Sequence, residues 1–244
     1  MYVPRHFAPT DESVRQLLDR HGAADLITVT EDGLQATLLP FVHDPDAGEH
    51  GSLIGHMARN NDQWRLPTQG PALVIVRGPD AYVTPTWYPS KADHHRHVPT
   101  WNYLTAHVHG ELLVHDDPAW VEDQVRRLTD KHEAGAVTPW SVDDAPAAYL
   151  QGQLRAIVGV ELSITRVEAK FKLSQNRAQS DITGVVRGLR SRGRGEDHAM
   201  ADAVDAHRPV ETHRPVDGGR PRRRGDLADD GLPVRGGDFD PRDQ

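Results

Sequence analysis

Strand-like segments follow one another along this chain without the helices that a parallel sheet requires between its strands. Segments rich in β-branched and other apolar residues occur at 24–30, 34–42, 52–55, 72–76, 81–84 and 106–114. Short connections such as Asp32-Gly33 favour β-hairpins, whereas parallel strands need crossovers of a dozen or more residues. The order therefore predicts an α+β fold in which an antiparallel barrel carries helices on its outside.

Helical periodicity is confined to the beginning of the chain, to the segments after the barrel strands and to the end. It predicts helices at 11–20, 118–132, 150–157, 182–189 and 199–206. One or two helical turns are also expected over residues 58–64. These helices do not alternate with strands as βαβ units would.

The last long strand, over residues 158–173, changes the face on which its apolar side chains lie. Val158 to Ile164 follow one alternation, and Val167 to Leu173 follow the opposite one. Because strand side chains alternate strictly between two faces, this change of phase predicts a β-bulge near Thr165-Arg166.

The last part of the chain differs in composition from the rest. Residues 207–244 contain eight Arg, eight acidic residues, six Gly and five Pro, with few apolar side chains. Such a segment buries too little surface to offset the entropy of ordering it. We predict a folded domain over residues 1–206 and a disordered tail over residues 207–244, so that the net charge of −8 belongs to the domain.

Composition and missing motifs exclude several classes of protein. The chain has no Cys, which rules out disulfides, thiolate metal sites and Cys nucleophiles. It also lacks the glycine-rich Rossmann and P-loop motifs, the Gly-x-Ser-x-Gly elbow and His-Glu-x-x-His. The N-terminal segment does not resemble a signal peptide and the apolar run 72–76 is too short to cross a bilayer, so we expect a cytoplasmic protein without a membrane segment.

Residues around Arg59 suit a phosphate. Arg59, Asn60 and Asn61 follow a predicted strand and lie where a short helix is expected to begin. An Arg fork, amide donors and exposed N–H groups at a helix N-terminus can converge on a phosphate. An ordinary strand–helix junction with a solvated Arg accounts for the same residues.

Two proline-stiffened segments and one polar run suit a flat heteroaromatic ligand. Residues 85–91 and 98–103 concentrate Trp and Tyr beside Lys and Asn, which favours ring stacking with hydrogen bonds to the ring edge. A Trp-anchored corner of the core is the alternative. The run Ser174-Gln175-Asn176-Arg177, after the last strand, adds a dense group of donors.

The histidines give a weaker indication of a site. His94, His95 and His97 cluster in one predicted loop, and His107 and His109 share a strand face. Metal sites use such spacings, but short His tracts are common in solvated loops. We predict no metal site.

In these segments the sequence resembles the PaiB-type family of FMN-binding negative transcriptional regulators. The resemblance is carried by Gly55-His56-Met57-Ala58-Arg59, by the segment 82–103 with Trp87-Tyr88-Pro89-Ser90-Lys91 and Val98-Pro99-Thr100-Trp101-Asn102-Tyr103, and by Lys172-Leu173-Ser174-Gln175-Asn176-Arg177. It covers residues 1–205. It implies a split β-barrel similar to that of pyridoxamine 5′-phosphate oxidase, and a homodimer with FMN at the subunit interface.

The resemblance also implies roles for individual residues in the FMN site. The phosphate would be held by Arg59 with Ala58, Asn60 and Asn61, beside His56 of the same motif. The isoalloxazine would be bordered by Trp87, Lys91, Trp101 and Asn102, and the site would be closed by Lys172, Gln175 and Asn176 from the other subunit. Ala169 and Phe171 depart from the family, where Gly and Trp are expected.

Three kinds of function are compatible with such a protein. The first is an FMN-binding negative regulator of transcription, which is the function that the resemblance implies. The second is a flavin-dependent oxidoreductase or oxidase, for which no catalytic residue can be assigned, and the third is a non-catalytic flavin or haem carrier. Direct DNA binding has little support, because the predicted domain is acidic and the Arg cluster at 220–224 lies among acidic residues.

Overall fold

The computed structural model describes residues 1–209. Six antiparallel strands close into one barrel in the order β1-β2-β3-β6-β5-β4. The strands are β1 (Ala23–Thr30), β2 (Gly33–Asp44), β3 (Ser52–Ala58), β4 (Ala72–Val83), β5 (Thr100–His115) and β6 (Ile157–Lys172). The helices are α1 (Asp11–Arg20), α2 (Pro118–Glu133), α3 (Ala147–Leu154), α4 (Gln179–Arg192) and α5 (Asp197–Ala206). The predicted α+β barrel with peripheral helices is confirmed.

The interior of the barrel is a packed hydrophobic core. Inward-facing side chains from different strands, such as Leu26, Phe41, Val74, Val108 and Leu162, have no solvent exposure. A six-stranded barrel filled in this way leaves no internal space for a ligand. A binding site must therefore lie at an end or on the outer face of the barrel.

The predicted β-bulge in the last long strand is confirmed. Gly110 of β5 pairs with Ile164 of β6, but His109 pairs with Arg166, so Thr165 is the extra residue. The bulge turns Lys170 and Lys172 to the outer face of β6 while Phe171 is 2% exposed and packs in the core. The change of phase therefore sets which side chains the end of β6 offers to a ligand.

Of the one or two helical turns predicted over residues 58–64, the structure has one 3₁₀ turn, and it lies at the end of the segment. Strand β3 continues to Ala58, and the segment ends in a single 3₁₀ turn at Asp62–Trp64, which Asn61 caps through its side chain. The backbone N–H of Arg59 donates to the carbonyl of Ala156, which keeps the chain beside β6 instead of letting it coil. Arg59 is therefore not at a helix N-terminus, and that prediction was wrong.

Two smaller predictions also need correction. The segments 72–76 and 81–84 form one strand, β4, whose register with β5 shifts between Arg77 and Asp80, so Gly78-Pro79 is a bulge and not a turn. The third predicted helix, 150–157, is α3 and ends at Leu154, because Ile157 begins β6.

The predicted tail, 207–244, lies outside the described residues from position 210 onward. Its first three residues pack on the helices: His207 Nδ1 donates to the carbonyl of Ala203 at 2.9 Å, and Gln179 donates to the carbonyl of Pro209 at 2.9 Å. The domain boundary remains a prediction. Within residues 1–209, no helix is both long and apolar enough to cross a membrane.

Candidate functional site

The predicted site residues form two groups on the barrel. The β3 group contains His56, Ala58, Arg59, Asn60 and Asn61, and the β6-end group contains Trp87, Lys91, Trp101, Asn102, Lys172, Gln175 and Asn176. Ala58 pairs with Ile157 at the beginning of β6, whereas Lys172 is the last residue of that strand. The strand between them has a contour of about 50 Å at roughly 3.3 Å per residue. One chain therefore does not bring the two groups together.

In the β3 group, Arg59 holds three segments together. Its guanidinium donates to both carboxylate oxygens of Asp116, and its Nε and Nη2 donate to the carbonyls of Arg155 and Ile157 at 2.9 and 3.0 Å. The Arg59 guanidinium lowers the pKa of Asp116, because it hydrogen-bonds to the charged carboxylate. Since an Arg side chain has five N–H donors, these contacts leave one for a ligand.

Of the other side chains in the β3 group, two make hydrogen bonds within the domain and two are exposed to solvent. Asn61 donates to the hydroxyl of Thr37 at 3.0 Å, and the ring of His56 hydrogen-bonds to Gln124 on α2 at 2.8 Å. Ala58 and Asn60 are exposed beside Arg59. The exposed amide of Asn60 and the remaining donor of Arg59 are thus the polar groups that this end of β3 offers.

In the β6-end group, Asn102 and Lys172 line the place where β5 begins and β6 ends. Asn102 has no solvent exposure and donates to the hydroxyl of Ser174 at 3.0 Å. Ser174 has a φ of 67°, a conformation that non-glycine residues rarely adopt and that often marks a functional loop. Lys172 donates to the hydroxyl of Thr100 at 2.7 Å, and burial, with the nearby charges of Lys170 and Arg177, lowers the pKa of Lys172.

The two tryptophans of this group have different environments. Trp87 packs on α4, where a Cβ at Gly188 would lie 2.2 Å from its ring, and the Arg192 guanidinium lies 4.9 Å from the ring centroid. Trp101 is 49% exposed and donates through its indole N–H to Asp80 at 2.9 Å. Trp101 is therefore the ring available for stacking, while Trp87 fixes the segment that follows it.

The remaining residues of the group contribute less. Gln175 accepts from the N–H of Leu173 at 2.7 Å and donates to the carbonyl of Phe171 at 2.6 Å, so its side chain stabilises its own loop. Lys91, in the 3₁₀ turn Pro89–Ala92, and Asn176 are exposed. Both can reach a ligand without losing an internal contact.

Beside this group lies a partly buried cluster, which we call the polar cluster and to which the sequence analysis assigned no role in the site: Tyr88, Ser90, His97, Arg177 and Asp181. Asp181 is 3% exposed and accepts from the hydroxyl of Ser90 at 2.6 Å, while Ser90 Oγ lies 3.1 Å from His97 Nε2. The Arg177 guanidinium lies 5.0 Å from the ring centroid of Tyr88. The motifs of the sequence contain the first four of these residues, but Asp181 lies on α4 and carries no local signal.

The donors and acceptors of these side chains suit a planar, polar ring such as a flavin. Two buried polar atoms of the polar cluster, the Tyr88 hydroxyl and His97 Nδ1, have no hydrogen-bond partner within residues 1–209. Buried polar atoms without partners are rare in folded proteins and call for a water or a ligand. The β6-end group also contains an exposed ring, Trp101, and a cation, Lys172, which are the kinds of group that bind a heteroaromatic ligand with a polar edge.

The histidines on β5 lie elsewhere on the barrel. His107 pairs with Glu168, and His109 pairs with Arg166 across the bulged part of β6. Burial lowers the pKa of both histidines. Among residues 1–209, no three His, Asp or Glu side chains come close enough to hold a metal ion.

A filled antiparallel barrel, with a polar and aromatic cluster at one end of its two longest strands, defines a flavin-binding barrel protein of the split-barrel type. A sequence model described as "Putative FMN-binding domain" matches residues 1–166. The chain belongs to this family, and FMN is its cofactor. The match ends before Lys172 and Asp181, so the roles of the last residues of β6 and of α4 rest on the structure alone.

Individual relatives agree with this assignment. The chain is 28% identical to protease synthase and sporulation protein PAI 2 of Bacillus subtilis, over 84% of this chain and 97% of that protein, which confirms the PaiB-type resemblance. It is 30% identical to an uncharacterized protein of Aspergillus fumigatus, over 70% and 82% of the two chains. A conserved hypothetical protein from Mycobacterium tuberculosis shares the fold, with a TM-score of 0.51 at 10% identity over 73% of this chain and 95% of that one.

Proposed function

We propose that this protein is an FMN-binding negative regulator of transcription of the PaiB type, and that it acts as a homodimer in the cytoplasm. The observation that carries the proposal is its family membership together with the Bacillus subtilis relative, which it matches over 97% of that protein's length. The name of that relative links it to protease synthesis and sporulation, which are regulated processes. A regulator requires that FMN be bound and oriented, and does not require turnover.

In this proposal, one FMN molecule contacts both groups of residues, each contributed by a different subunit. The ring would lie against Trp101 and Lys172, with the buried Asn102 supporting the adjoining loop, and the phosphate would lie near Arg59 and Asn60 of the other subunit. The separation of the two groups along β6 supports this arrangement, since a single ligand does not span that distance.

The side chains of the β6-end group have a clear electrostatic role toward a flavin. FMN, when bound, supplies hydride-transfer and electron-transfer chemistry. Lys172 and Arg177 place positive charge beside Asn102 and Ser174, where it would stabilise negative charge on the ring. Because these contacts depend on the charge of the flavin, a change in its redox state would change them, and the protein would thereby sense redox conditions.

An outward apolar face supports the proposed homodimer. Leu34 and Leu38 on β2 are 74% and 64% exposed, and Val29, which pairs with Leu34 across β1 and β2, is 41% exposed. Exposed apolar side chains that are contiguous on one sheet face commonly mark an interface. A two-fold interface uses the same surface of both subunits, so this face can cover itself.

An absorption spectrum of the purified protein tests the cofactor, because flavin bands support FMN and a Soret band would indicate haem instead. Two further measurements separate the functions. A salt-sensitive mobility shift of promoter DNA would support the function as a regulator. The flavin spectrum of the same preparation is the control, because it shows whether the protein in that assay carries its cofactor. Bleaching of the bound flavin by NADH or NADPH, with turnover of an added acceptor, would instead establish an oxidoreductase.

A further inference from the structure

An open groove of about 540 Å³ runs along one face of α4. Its α4 side is formed by residues three or four positions apart, which is the spacing of neighbours on a helix surface. They include Gly184, Arg187, Gly188, Ser191 and Arg192. The segment 86–89 supplies the rest of the lining. The volume is in the range of small-molecule sites, so the chemistry of the lining decides what the groove can take.

The lining is positively charged and contains no carboxylate. Its only ionisable side chains are Arg187 and Arg192, and its other polar side chains are hydroxyls. Arg192 donates three of its five N–H groups to Asp197 and to the carbonyl of Tyr82, and keeps two. Arg187 is exposed and has no ion-pair partner within residues 1–209. An anion would therefore meet donors and no repelling carboxylate in this groove.

The donors at one end of the groove suit a phosphate. Arg187 and Ser191 are one helical turn apart, with roughly 5–6 Å between Cβ atoms at such positions. Arg192 follows directly and lines the same groove. Guanidinium groups bind phosphate oxygens in pairs, and a phosphate monoester offers three acceptor oxygens with about two negative charges. A carboxylate, with two oxygens and one charge, would leave more of these donors unused.

Trp87 places apolar surface beside the donors. It packs so closely on α4 that a Cβ at Gly188 would lie 2.2 Å from its ring, and one at Gly184 would lie 1.9 Å from its carbonyl oxygen. The ring is nevertheless only half-buried, and with Pro89 it forms part of the groove. This apolar surface is therefore fixed by the fold before any ligand arrives, which favours recognition.

We infer that the groove binds a small organic phosphate. The phosphate lies at Arg187, Ser191 and Arg192, and the apolar body of the ligand packs against Trp87 and Pro89. This site goes beyond the proposed function, because the phosphate of FMN is assigned there to Arg59 and no residue of the β3 group lines the groove.

The experiment titrates the FMN-saturated protein with phenyl phosphate. Calorimetry should show saturable binding, and NMR should show a saturable shift of the Trp87 indole N–H, whose signal is identified by its loss in Trp87→Phe. Inorganic phosphate, which has no apolar body, and benzoate, which has no phosphate, should each bind more weakly by about tenfold or more.

Substitutions on α4 locate the site. Arg187→Gln should weaken phenyl phosphate by about tenfold to a hundredfold, because it removes a charged fork, and Arg187→Lys should lose less, because it keeps the charge. Arg190→Gln is the matched control, since Arg190 is an exposed arginine of the same helix that lies outside the groove. It should bind phenyl phosphate as the wild type does, and all three variants should keep their FMN affinity.

The outcomes separate this inference from the proposed FMN site. No binding of phenyl phosphate, or full affinity in Arg187→Gln, would overturn the inference. Equal affinity for benzoate or for inorganic phosphate would overturn the assignment to an organic phosphate. Competition between FMN and phenyl phosphate would merge the groove with the FMN site and so overturn a separate site. A protein that binds no FMN, but binds phenyl phosphate through Arg187, would overturn the FMN site and support the groove.

Discussion

Arg59 connects segments that are distant in sequence: the end of β3, the connection into β6 and the residue after β5. Its contacts to Asp116 and to the carbonyls of Arg155 and Ile157 would stabilise this junction in any ligand state. A phosphate contact would use the one remaining donor. The structural and the binding role therefore predict different results for two substitutions at the same ion pair.

Arg59→Ala and Asp116→Ala remove opposite halves of that pair. If Arg59 binds the phosphate, Arg59→Ala should weaken FMN by about tenfold to a hundredfold and riboflavin far less, because riboflavin has no phosphate. Asp116→Ala should preserve FMN binding, because the guanidinium remains. Flavin-fluorescence titrations of both variants with both ligands provide the measurement. Equal losses of FMN and riboflavin, or equal losses in the two variants, would assign Arg59 to the fold alone.

His21 gives a prediction about pH. Its ring is 4% exposed, its Nε2 has no partner within residues 1–209, and burial lowers its pKa from 6.5 to about 4, with Lys131, His43 and His132 adding repulsion. The folded protein therefore resists protonation more than the unfolded chain. Above pH 6.5, His21 makes its full contribution to the free energy of unfolding. As the pH falls from 6.5 toward 4, that free energy decreases by about 3 kcal/mol in total.

Urea unfolding at pH 7 and pH 4.5 measures this effect. The wild type should lose more free energy of unfolding between the two pH values than His21→Gln, which cannot titrate. His50→Gln, at an exposed histidine, should behave like the wild type. A pH dependence that is the same in His21→Gln and the wild type would show that His21 does not titrate abnormally.

Among the structural elements, α4 positions the site although it touches few of the predicted residues. Gly184 and Gly188 face the Trp87 segment, and Asp181 holds Ser90, so one helix face fixes the loop that borders the proposed flavin ring. Small residues allow this close approach, since any Cβ would meet Trp87. The helix is in this sense part of the site.

Gly188→Ala tests that contact. Its Cβ would lie 2.2 Å from the Trp87 ring, so we expect a loss of about 1–3 kcal/mol from overpacking, despite the higher helix propensity of Ala. Gly152→Ala on α3, where a Cβ meets nothing within 4 Å, is the matched control and should be neutral or slightly stabilising. Chemical denaturation of the two variants gives the comparison; a Gly188→Ala variant as stable as Gly152→Ala would contradict the packing.

Individual structural elements show which features of the fold and of the site could be predicted from the sequence. The bulge at Thr165 was predictable, because a change of strand phase is a local pattern with one geometric consequence. The 3₁₀ turn at Asp62–Trp64 was not, since Arg59 is held beside β6 by a contact to Ala156, far away in sequence. The Ser90–Asp181 contact joins residues 91 positions apart, so the polar cluster needed a three-dimensional structure.

At the scale of the whole molecule, the question is how much of the chain the barrel needs. Residues 207–209 contact α4 and α5, whereas the composition of the residues that follow gives them little apolar surface with which to pack. Truncation after Pro209 should therefore leave the melting temperature and the FMN affinity nearly unchanged. Thermal unfolding and a flavin titration check this, and a large drop in either quantity would show that the removed residues pack on the domain or on its cofactor.

The oligomeric state decides whether the two groups of site residues can meet. Sizing at low concentration should give about twice the chain mass of 27.1 kDa. Leu38→Arg places a charge on the apolar face of β2 and should yield a monomer that has also lost FMN, because each site needs residues from both subunits. Val137→Arg, at a fully exposed position between α2 and α3, should stay dimeric and flavin-bound. A Leu38→Arg monomer that retains FMN would place the complete site within one chain, and a Leu38→Arg dimer would move the interface to another face of the barrel.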